Sequence, residues 1–364
     1  MTATSQTLVI TAGGTGGHIF PALSLALELR RRYPGLGLVW IGTSRSREKE
    51  LCETHGIPLM VLDVEGFRRT LTLGAVRAAI RFGAAVLRMI TIFGSGRPRA
   101  VVAFGGYVCA PVLVAARIKK VPYFLQEQNT IAGLVNRAFA KSARRVFLGL
   151  PLAAKRQLAG ALEVTGTPVR ARNASYAGFE YPVGFSKEKK TVLISGGSQG
   201  AQSMNDALVA VVKQWKNRGL QVIWQTGAAS YSSVRESLKN CNGIFVFDTI
   251  PDLYPYYAVA SVVVARAGAS TLAEISVFGL PAILIPLPWA AENHQWENAG
   301  LAQQQGWGIR ISQDGATGEH VDVAVEGILS NEHTAQTMRS KALANSPSGA
   351  AAEIVDRLAG DLKL

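Results

Sequence analysis

Two rhythms alternate along this chain. Short apolar runs of strand type are each followed by a stretch in which apolar residues recur every three or four positions. Leu8–Thr11, Leu38–Ile41 and Ala100–Phe104 predict strands, and Pro21–Arg32 and Leu73–Phe93 predict helices. After about residue 165 the alternation restarts, with strand-type runs at Thr191–Ile194, Gln221–Gln225, Ile244–Phe247, Ser261–Ala265 and Ala282–Ile285. Strand–helix alternation of this kind predicts an α/β protein with parallel sheets covered by helices on both faces.

The restart marks a boundary. Turn-forming residues cluster in Glu163-Val164-Thr165-Gly166-Thr167-Pro168-Val169-Arg170, and the polar stretch Asn173–Lys190 follows. A chain of 364 residues fits two domains better than one. The expected division is therefore 1–166 and 167–345. The last helical pattern, Ala350–Leu362, leaves open whether residues 346–364 pack back on the first domain.

Each half opens with a glycine turn between strand and helix. The first is Gly13-Gly14-Thr15-Gly16-Gly17-His18 and the second Gly196-Gly197-Ser198-Gln199-Gly200. Such a turn aims backbone N–H groups and a helix N-terminus at one point, which suits phosphate. The first lacks the G-x-G-x-x-G order of a dinucleotide fingerprint and the Gly-Lys-Ser/Thr ending of a P-loop. Taken alone, each is equally a plain strand–helix connection. His18 adds a side chain able to take a proton near neutral pH, although a histidine at a helix entrance also serves simply as a polar residue facing water. Two such turns predict two doubly wound halves with a ligand between them, since ligands bind beyond the carboxyl ends of the strands.

Charge adds a second asymmetry. Residues 1–160 hold 22 Lys and Arg against 7 Asp and Glu, while the remainder holds 16 against 18. From Gly66 to Gln126 there are ten basic residues and no acidic one. A polyanion, either nucleic acid or an anionic membrane surface, is the expected partner of such a half. On the Leu73–Phe93 helix, Arg77, Arg81 and Arg88 fall within about 40° of one another, with Ala79, Phe82, Val86, Met89, Ile90 and Phe93 opposite. Three arginines argue against a membrane span. The pattern suits a basic helix lying on an anionic membrane, and equally a core-packed helix with a charged outer face. Cys52, Cys109 and Cys241 show no metal or redox spacing, and Met1–Gln6 lack a basic-then-apolar signal, so a reducing, cytoplasmic setting is expected.

Three further segments carry candidate chemistry. Gln126-Glu127-Gln128-Asn129 places four polar residues after an apolar strand, where a ligand edge is expected. Arg266-Ala267-Gly268-Ala269-Ser270-Thr271-Leu272-Ala273-Glu274 follows a strand and opens a helix with small residues that admit a ligand to the backbone. Glu274 can accept hydrogen bonds from two sugar hydroxyls, or stand as a solvated glutamate favoured by the helix dipole. Asn293-His294-Gln295-Trp296 combines side-chain amides with an aromatic ring, as sugar sites do, and is also an ordinary polar helix start.

In order, these segments are joined by Glu65-Gly66-Phe67-Arg68-Arg69, Phe104-Gly105-Gly106-Tyr107, Glu127–Gly133 and Gly166-Thr167-Pro168-Val169-Arg170. Together they resemble the MurG family of N-acetylglucosaminyltransferases of bacterial cell-wall synthesis, from residue 8 to about residue 310. The resemblance implies a GT-B fold, two doubly wound domains facing a cleft. It implies transfer of N-acetylglucosamine from UDP-N-acetylglucosamine to the muramoyl 4-hydroxyl of lipid I, with inversion, giving lipid II and UDP. It implies no cofactor and no metal, and an enzyme held peripherally on the cytoplasmic face of the inner membrane by its anionic surface. It also leaves room for a cell-wall synthesis complex.

By the same resemblance, Thr15, Gly16 and Gly17 contact the donor, Asn129 and Gln295 the sugar, and Arg170 and Ser198 the donor, Ser198 near its diphosphate. Ile250 matches a uracil contact made through the backbone. Ala269, Ser270, Thr271, Leu272, Ala273 and Glu274 match the ribose and diphosphate segment, with Glu274 on the ribose hydroxyls. His18 is the general-base candidate and Glu127 the alternate. Many members carry histidine where this chain has Gln126, which favours His18. A UDP-N-acetylglucosamine 2-epimerase would share the fold and donor, but needs no basic membrane face and lacks the first glycine turn. Nucleic acid is not an expected partner, because the basic stretch has few aromatic residues for stacking and no recognised module.

Overall fold

The structure is a computed structural model that describes residues 7–43, 48–65, 73–153, 158–172, 176, 178–197, 201–314 and 317–364. The chain divides into two compact units, Met1–Val169 with Gly349–Leu364, and Arg170–Ser348.

The first unit is built on seven parallel strands: β1 (Thr7–Thr11), β2 (Gly37–Gly42), β3 (Leu59–Val61), β4 (Ala100–Ala103), β5 (Tyr123–Glu127), β6 (Arg145–Leu148) and β7 (Leu162–Val164). Their spatial order is β3-β2-β1-β4-β5-β6-β7. The chain reverses direction across the sheet between β1 and β4, and Val9 pairs with both Val39 and Val101 there. Helices α1 (Gly16–Arg32), α2 (Glu48–Thr54), α3 (Leu73–Ser95), α4 (Cys109–Ile118) and α5 (Leu134–Phe139) make the connections. Alternate strand residues serve opposite faces. Leu8, Ile10, Trp40, Val102, Phe124 and Phe147 pack under α1. Val9, Ile41, Val101, Leu125 and Val146 pack under α3 and α4. With both faces covered, the central strands need apolar side chains throughout, which is why they read as continuous hydrophobic runs.

The second unit repeats the scheme with six parallel strands: β8 (Thr191–Ser195), β9 (Gln221–Gln225), β10 (Ile244–Phe247), β11 (Val262–Ala265), β12 (Ala282–Leu284) and β13 (Gly308–Arg310), in the order β10-β9-β8-β11-β12-β13. Its helices are α6 (Gln202–Asn217), α7 (Ala228–Ser237), α8 (Tyr254–Val259), α9 (Ala269–Val277), α10 (His294–Gln304), α11 (Thr317–Leu329) and α12 (Glu332–Ala344). Val192, Ile194, Val264 and Ile283 meet Met204, Leu208 and Trp215 of α6 and Val321, Val325 and Ile328 of α11 in one core. The Trp215 indole N–H donates to Asp322 at 2.7 Å, so its polar edge is satisfied at the rim of that core.

The closing helix, α13 (Ala350–Leu362), lies in the first unit. Ile354, Val355 and Leu358 join Leu25 and Leu29 of α1, and Arg145 grips Asp361 with two hydrogen bonds of 2.6 and 3.1 Å.

Two expectations need correcting. Helix α1 begins at Gly16, five residues before the expected Pro21, so the second half of the glycine turn is itself the first helical turn. Helix α3 does not have one apolar and one arginine face. Ala78, Ala85, Met89 and Phe93 are buried, but Val76, Ile80 and Leu87 are 58%, 68% and 67% exposed on the opposite side, and Ala79 is exposed as well. The arginines form a stripe between two apolar faces. Arg81 binds Glu65 at 2.6 Å and Asp63 at 3.2 Å, and Arg88 donates to the Val61 carbonyl.

Candidate functional site

In each sheet the reversal of strand order opens a crevice at the carboxyl ends of the two central strands, where ligands of open α/β sheets bind. The first unit places the first glycine turn there, after β1, facing Phe104-Gly105-Gly106-Tyr107 after β4. The two loops touch closely. A Cβ on Gly106 would stand 2.4 Å from the Gly13 carbonyl oxygen, and Gly106 has φ +86°, so no larger residue fits. Thr15 and Gly17 are exposed at this edge, and Gly16 starts α1. The first-turn N–H groups of α1 therefore point to the ligand side with the positive end of the helix dipole.

His18 is the third residue of α1. Its Nδ1 lies 3.1 Å from the Gly13 carbonyl oxygen. A carbonyl only accepts, so Nδ1 carries the proton, and in the neutral ring Nε2 holds the lone pair. The ring is half-buried beside Gly105, with Nε2 3.3 Å from the point where a Cβ would stand. This is a base oriented by its own turn.

Glu127, at the end of β5, is buried and differently employed. Its Oε1 accepts from the backbone N–H and Nδ2 of Asn129 at 3.0 and 3.3 Å. Its Oε2 accepts from the Gly133 N–H and Asn136 Nδ2 at 2.9 and 2.8 Å. The carboxylate thus shapes the 129–136 loop and sets the backbone of Asn129. Gln128 donates to the Phe104 carbonyl at 2.9 Å and joins the ends of β4 and β5. Gln126 is fully buried and accepts from Gln128, so that position faces the protein interior rather than a ligand.

Sequence reasoning missed Glu48. It looks like one more charged residue in a short basic stretch, yet it is fully buried beneath the first glycine turn. Its Oε2 accepts from the Thr43 N–H at 2.6 Å and hydroxyl at 3.1 Å, and its Oε1 faces the Gly13 Cα, 2.9 Å from where a Cβ would stand. Burial pushes its carboxyl above the ordinary range, against the two Thr43 hydrogen bonds. The one available signal was its place just after the strand Leu38–Ile41, at the ligand edge.

In the second unit the crevice lies between β8 and β11. Ser195 and Gly197 begin the second glycine turn, and Gln225 donates to the Gly197 carbonyl at 3.1 Å. Ser198 lies outside the described residues. The segment after β11 enters α9 at Ala269, with Gly268 as its extended cap residue, so Ser270 and Thr271 occupy the first turn. Leu272 and Ala273 are buried, and Glu274 is half-buried on the next turn. Burial raises the Glu274 carboxyl to about 7; Arg170 and a 3.5 Å hydrogen bond from the Tyr257 hydroxyl oppose this, while Asp252 reinforces it. Arg170 pairs with Asp252 and lies over the Tyr254 ring, 4.0 Å from its centroid.

The remaining donor candidates sit on neighbouring loops of the same edge. Ile250 is buried, and its N–H donates to Gln225 Oε1 at 3.2 Å. Gln295 accepts from the Leu287 N–H at 3.0 Å, which ties α10 to the loop after β12. Arg266 opens the segment between β11 and α9. It is 6% exposed, and its guanidinium donates to the Ile285 and Pro286 carbonyls and to Gln313. Burial lowers it to about 10, and it fastens three loops at the ligand edge.

Comparison with known proteins decides the family. Residues 8–148 match the glycosyltransferase family 28 N-terminal domain, and residues 191–354 its C-terminal domain. The UDP-N-acetylglucosamine–N-acetylmuramyl-(pentapeptide) pyrophosphoryl-undecaprenol N-acetylglucosamine transferase of Listeria welshimeri is 32% identical over 98% of this chain and 99% of its own. The transferase of the same name from Bacillus subtilis is 35% identical over 92% and 94%. The crystal structure of Acinetobacter baumannii MurG superposes with a TM-score of 0.73 at 28% identity, covering 96% of this chain and 98% of its own. The chain belongs to the MurG family. Its two Rossmann-like units are those of the GT-B architecture. A UDP-N-acetylglucosamine 2-epimerase shares that fold at a TM-score of 0.68 but only 15% identity, a likeness of architecture alone.

Proposed function

We propose that this chain moves N-acetylglucosamine from UDP-N-acetylglucosamine to the muramoyl 4-hydroxyl of lipid I, giving lipid II and UDP. The 4-oxygen attacks C1 of the sugar from the face opposite the diphosphate. The O4–C1 bond forms as the C1–oxygen bond to the β-phosphate breaks, so the configuration at C1 inverts and no covalent enzyme intermediate is needed. His18 Nε2 takes the hydroxyl proton, and the leaving electron pair departs on UDP. The observation that supports this most is the tautomer: Gly13 holds the proton of His18 on Nδ1, which puts the ring's lone pair on Nε2. Glu127, with both oxygens occupied by the loop it organises, serves as a positioning residue.

On the donor side, Glu274 accepts the ribose hydroxyls and the Ile250 backbone receives uracil. The second glycine turn, with Ser198 and the first turn of α9, meets the diphosphate, where N–H groups and helix dipoles stabilise charge as UDP leaves. Thr15, Gly16, Gly17, Asn129 and Gln295 hold the sugar and its reacting end. The test is acceptor-dependent UDP release: rapid release with a lipid I analogue and almost none without it. Equal release in both would overturn the assignment.

We also propose that α3 docks the enzyme on the cytoplasmic face of the membrane. No helix among the described residues is long and apolar enough to cross one. The exposed Val76, Ile80 and Leu87 share one stripe of α3, spanning about 40° around the helix, with Arg77 beside it. An apolar stripe flanked by cations suits shallow insertion among anionic head groups.

A further inference from the structure

The transfer reaction leaves Glu48 without a part, although this carboxyl is fully buried at the ligand edge of the first unit. It opens α2, six residues after Gly42, the last residue of β2. Burying a carboxyl is unfavourable unless both its oxygens find partners. Here one does: Oε2 accepts from the Thr43 N–H and hydroxyl. Oε1 has no hydrogen-bond partner among the described residues, and neither has the Trp40 indole nitrogen. The two side chains meet at Gly42, where a Cβ would stand 2.9 Å from Trp40 Nε1 and 2.9 Å from Glu48 Oε2. Only burial and Thr43 act on the Glu48 carboxyl, so among the described residues no cation explains its presence. Unpartnered buried polar atoms are rare in folded proteins, and where they persist they point to a use beyond folding.

The use lies in what Oε1 faces. A Cβ on Gly13 would stand 2.9 Å from Glu48 Oε1 and 2.7 Å from Val108 Cγ1. A Cβ on Gly106 would stand 2.4 Å from the Gly13 carbonyl oxygen. In the sheet β1 lies between β2 and β4. Glu48 therefore holds the turn from the β2 side, and Val108 and Gly106 hold it from the β4 side. Between these contacts the Gly13 peptide has one position and one orientation. A turn with four glycines among Gly13–Gly17 has little stiffness of its own, so its contacts must supply it. The Gly13 carbonyl is the group 3.1 Å from His18 Nδ1.

We infer that Glu48 is a positioning residue for His18: packed beneath Gly13, it fixes the carbonyl that keeps the histidine proton on Nδ1. The inference deepens the reading of His18 as the base and rests on it. Glu48 touches neither the ring nor a reacting atom in this account; it acts through Gly13.

The test compares Glu48→Gln and Glu48→Ala in the full chain, at a temperature below the onset of unfolding of both. Glutamine fills the same space and its side-chain carbonyl accepts from Thr43, whereas alanine does neither. The decisive readout is nitrogen NMR of histidine-labelled protein at about pH 8, above the ordinary histidine range. The His18 signals are identified by their absence from His18→Ala. The parent and the glutamine variant should carry the proton on Nδ1. The alanine variant should shift toward protonated Nε2, the form that a free imidazole side chain prefers. Its kcat should fall about tenfold and its dissociation constant for UDP stay within about twofold, while glutamine keeps kcat within about twofold of the parent. A lower melting temperature for the alanine variant with the parent's tautomer and the parent's kcat per folded molecule makes Glu48 structural and overturns the inference. A glutamine variant as impaired as the alanine variant also overturns it. Full turnover by His18→Ala would remove the base assignment, and the nitrogen spectrum would still judge Glu48.

Discussion

Glu274→Gln separates stability from donor binding, and the structure gives both magnitudes. Burial raises this carboxyl from an ordinary 4.5 to about 7. The folded state therefore holds the proton more tightly than the unfolded chain between those values. Stability contributed by this site falls as pH rises from about 4.5 to about 7 and stays at its lowest above that. At about 1.4 kcal/mol per pH unit, the ionised carboxylate lowers stability by about 3 kcal/mol at pH 8. Glutamine keeps the shape and removes the buried charge. The variant should unfold at higher denaturant at pH 8, by up to about 3 kcal/mol, and match the parent near pH 4.5. Donor binding should move the other way, because only the ionised carboxylate accepts from two ribose hydroxyls. UDP-N-acetylglucosamine is the suitable probe, since its diphosphate is a diester and keeps its charge over this range. By calorimetry its affinity for the parent should fall about tenfold from pH 8 to pH 6, and its weaker affinity for the variant should stay flat. A variant that binds the donor as the parent does at pH 8, or a parent with no pH dependence, refutes this role for Glu274.

Other outcomes follow from the first unit. His18→Ala should lower kcat by roughly 10²- to 10⁴-fold and leave the dissociation constant for UDP within about twofold, as measured by steady-state kinetics and calorimetry. Gly106→Ala puts a methyl group against the Gly13 carbonyl at a left-handed φ; it should cost about 2 kcal/mol or more in denaturant unfolding and also lower kcat, because Gly13 orients His18. Glu48→Ala empties the space beneath the same turn and leaves Thr43 without its acceptor, so stability should fall by about 2 kcal/mol. Replacing Val76, Ile80 and Leu87 together by serine should weaken binding to phosphatidylglycerol vesicles about 100-fold in sedimentation, with no loss of stability, since these side chains are already in water.

Most of the fold was legible because buried parallel strands need apolar residues on both faces. Leu8–Thr11, Ala100–Phe104 and Thr191–Ile194 carry that signal plainly. Strands of three residues such as β3, β7 and β13 carry little of it, and their pairing comes from neighbours distant in sequence. The start of α1 was hidden because glycines predict a turn, yet Gly16 and Gly17 are already helical. Helix α3 misled for another reason. The arginines gave one clear stripe, and nothing in the spacing says that the apolar residues around it divide between core and solvent. At the site, the glycine turns, His18 and Glu274 were visible from residue type and position. What His18 and Glu127 do was not, because it depends on hydrogen bonds to Gly13 and to residues 129–136 that only the folded loops create. Glu48 had only its place after a strand to mark it, because its burial is set by the turn that closes over it.

The central claim is inverting transfer to an acceptor hydroxyl. The most direct test is the anomeric configuration of the product, read by proton NMR after incubation with UDP-N-acetylglucosamine and a lipid I analogue. The expected product is a β-1,4-linked disaccharide formed with one UDP per linkage. An α linkage, or free N-acetylmannosamine and UDP in place of a disaccharide, would contradict it.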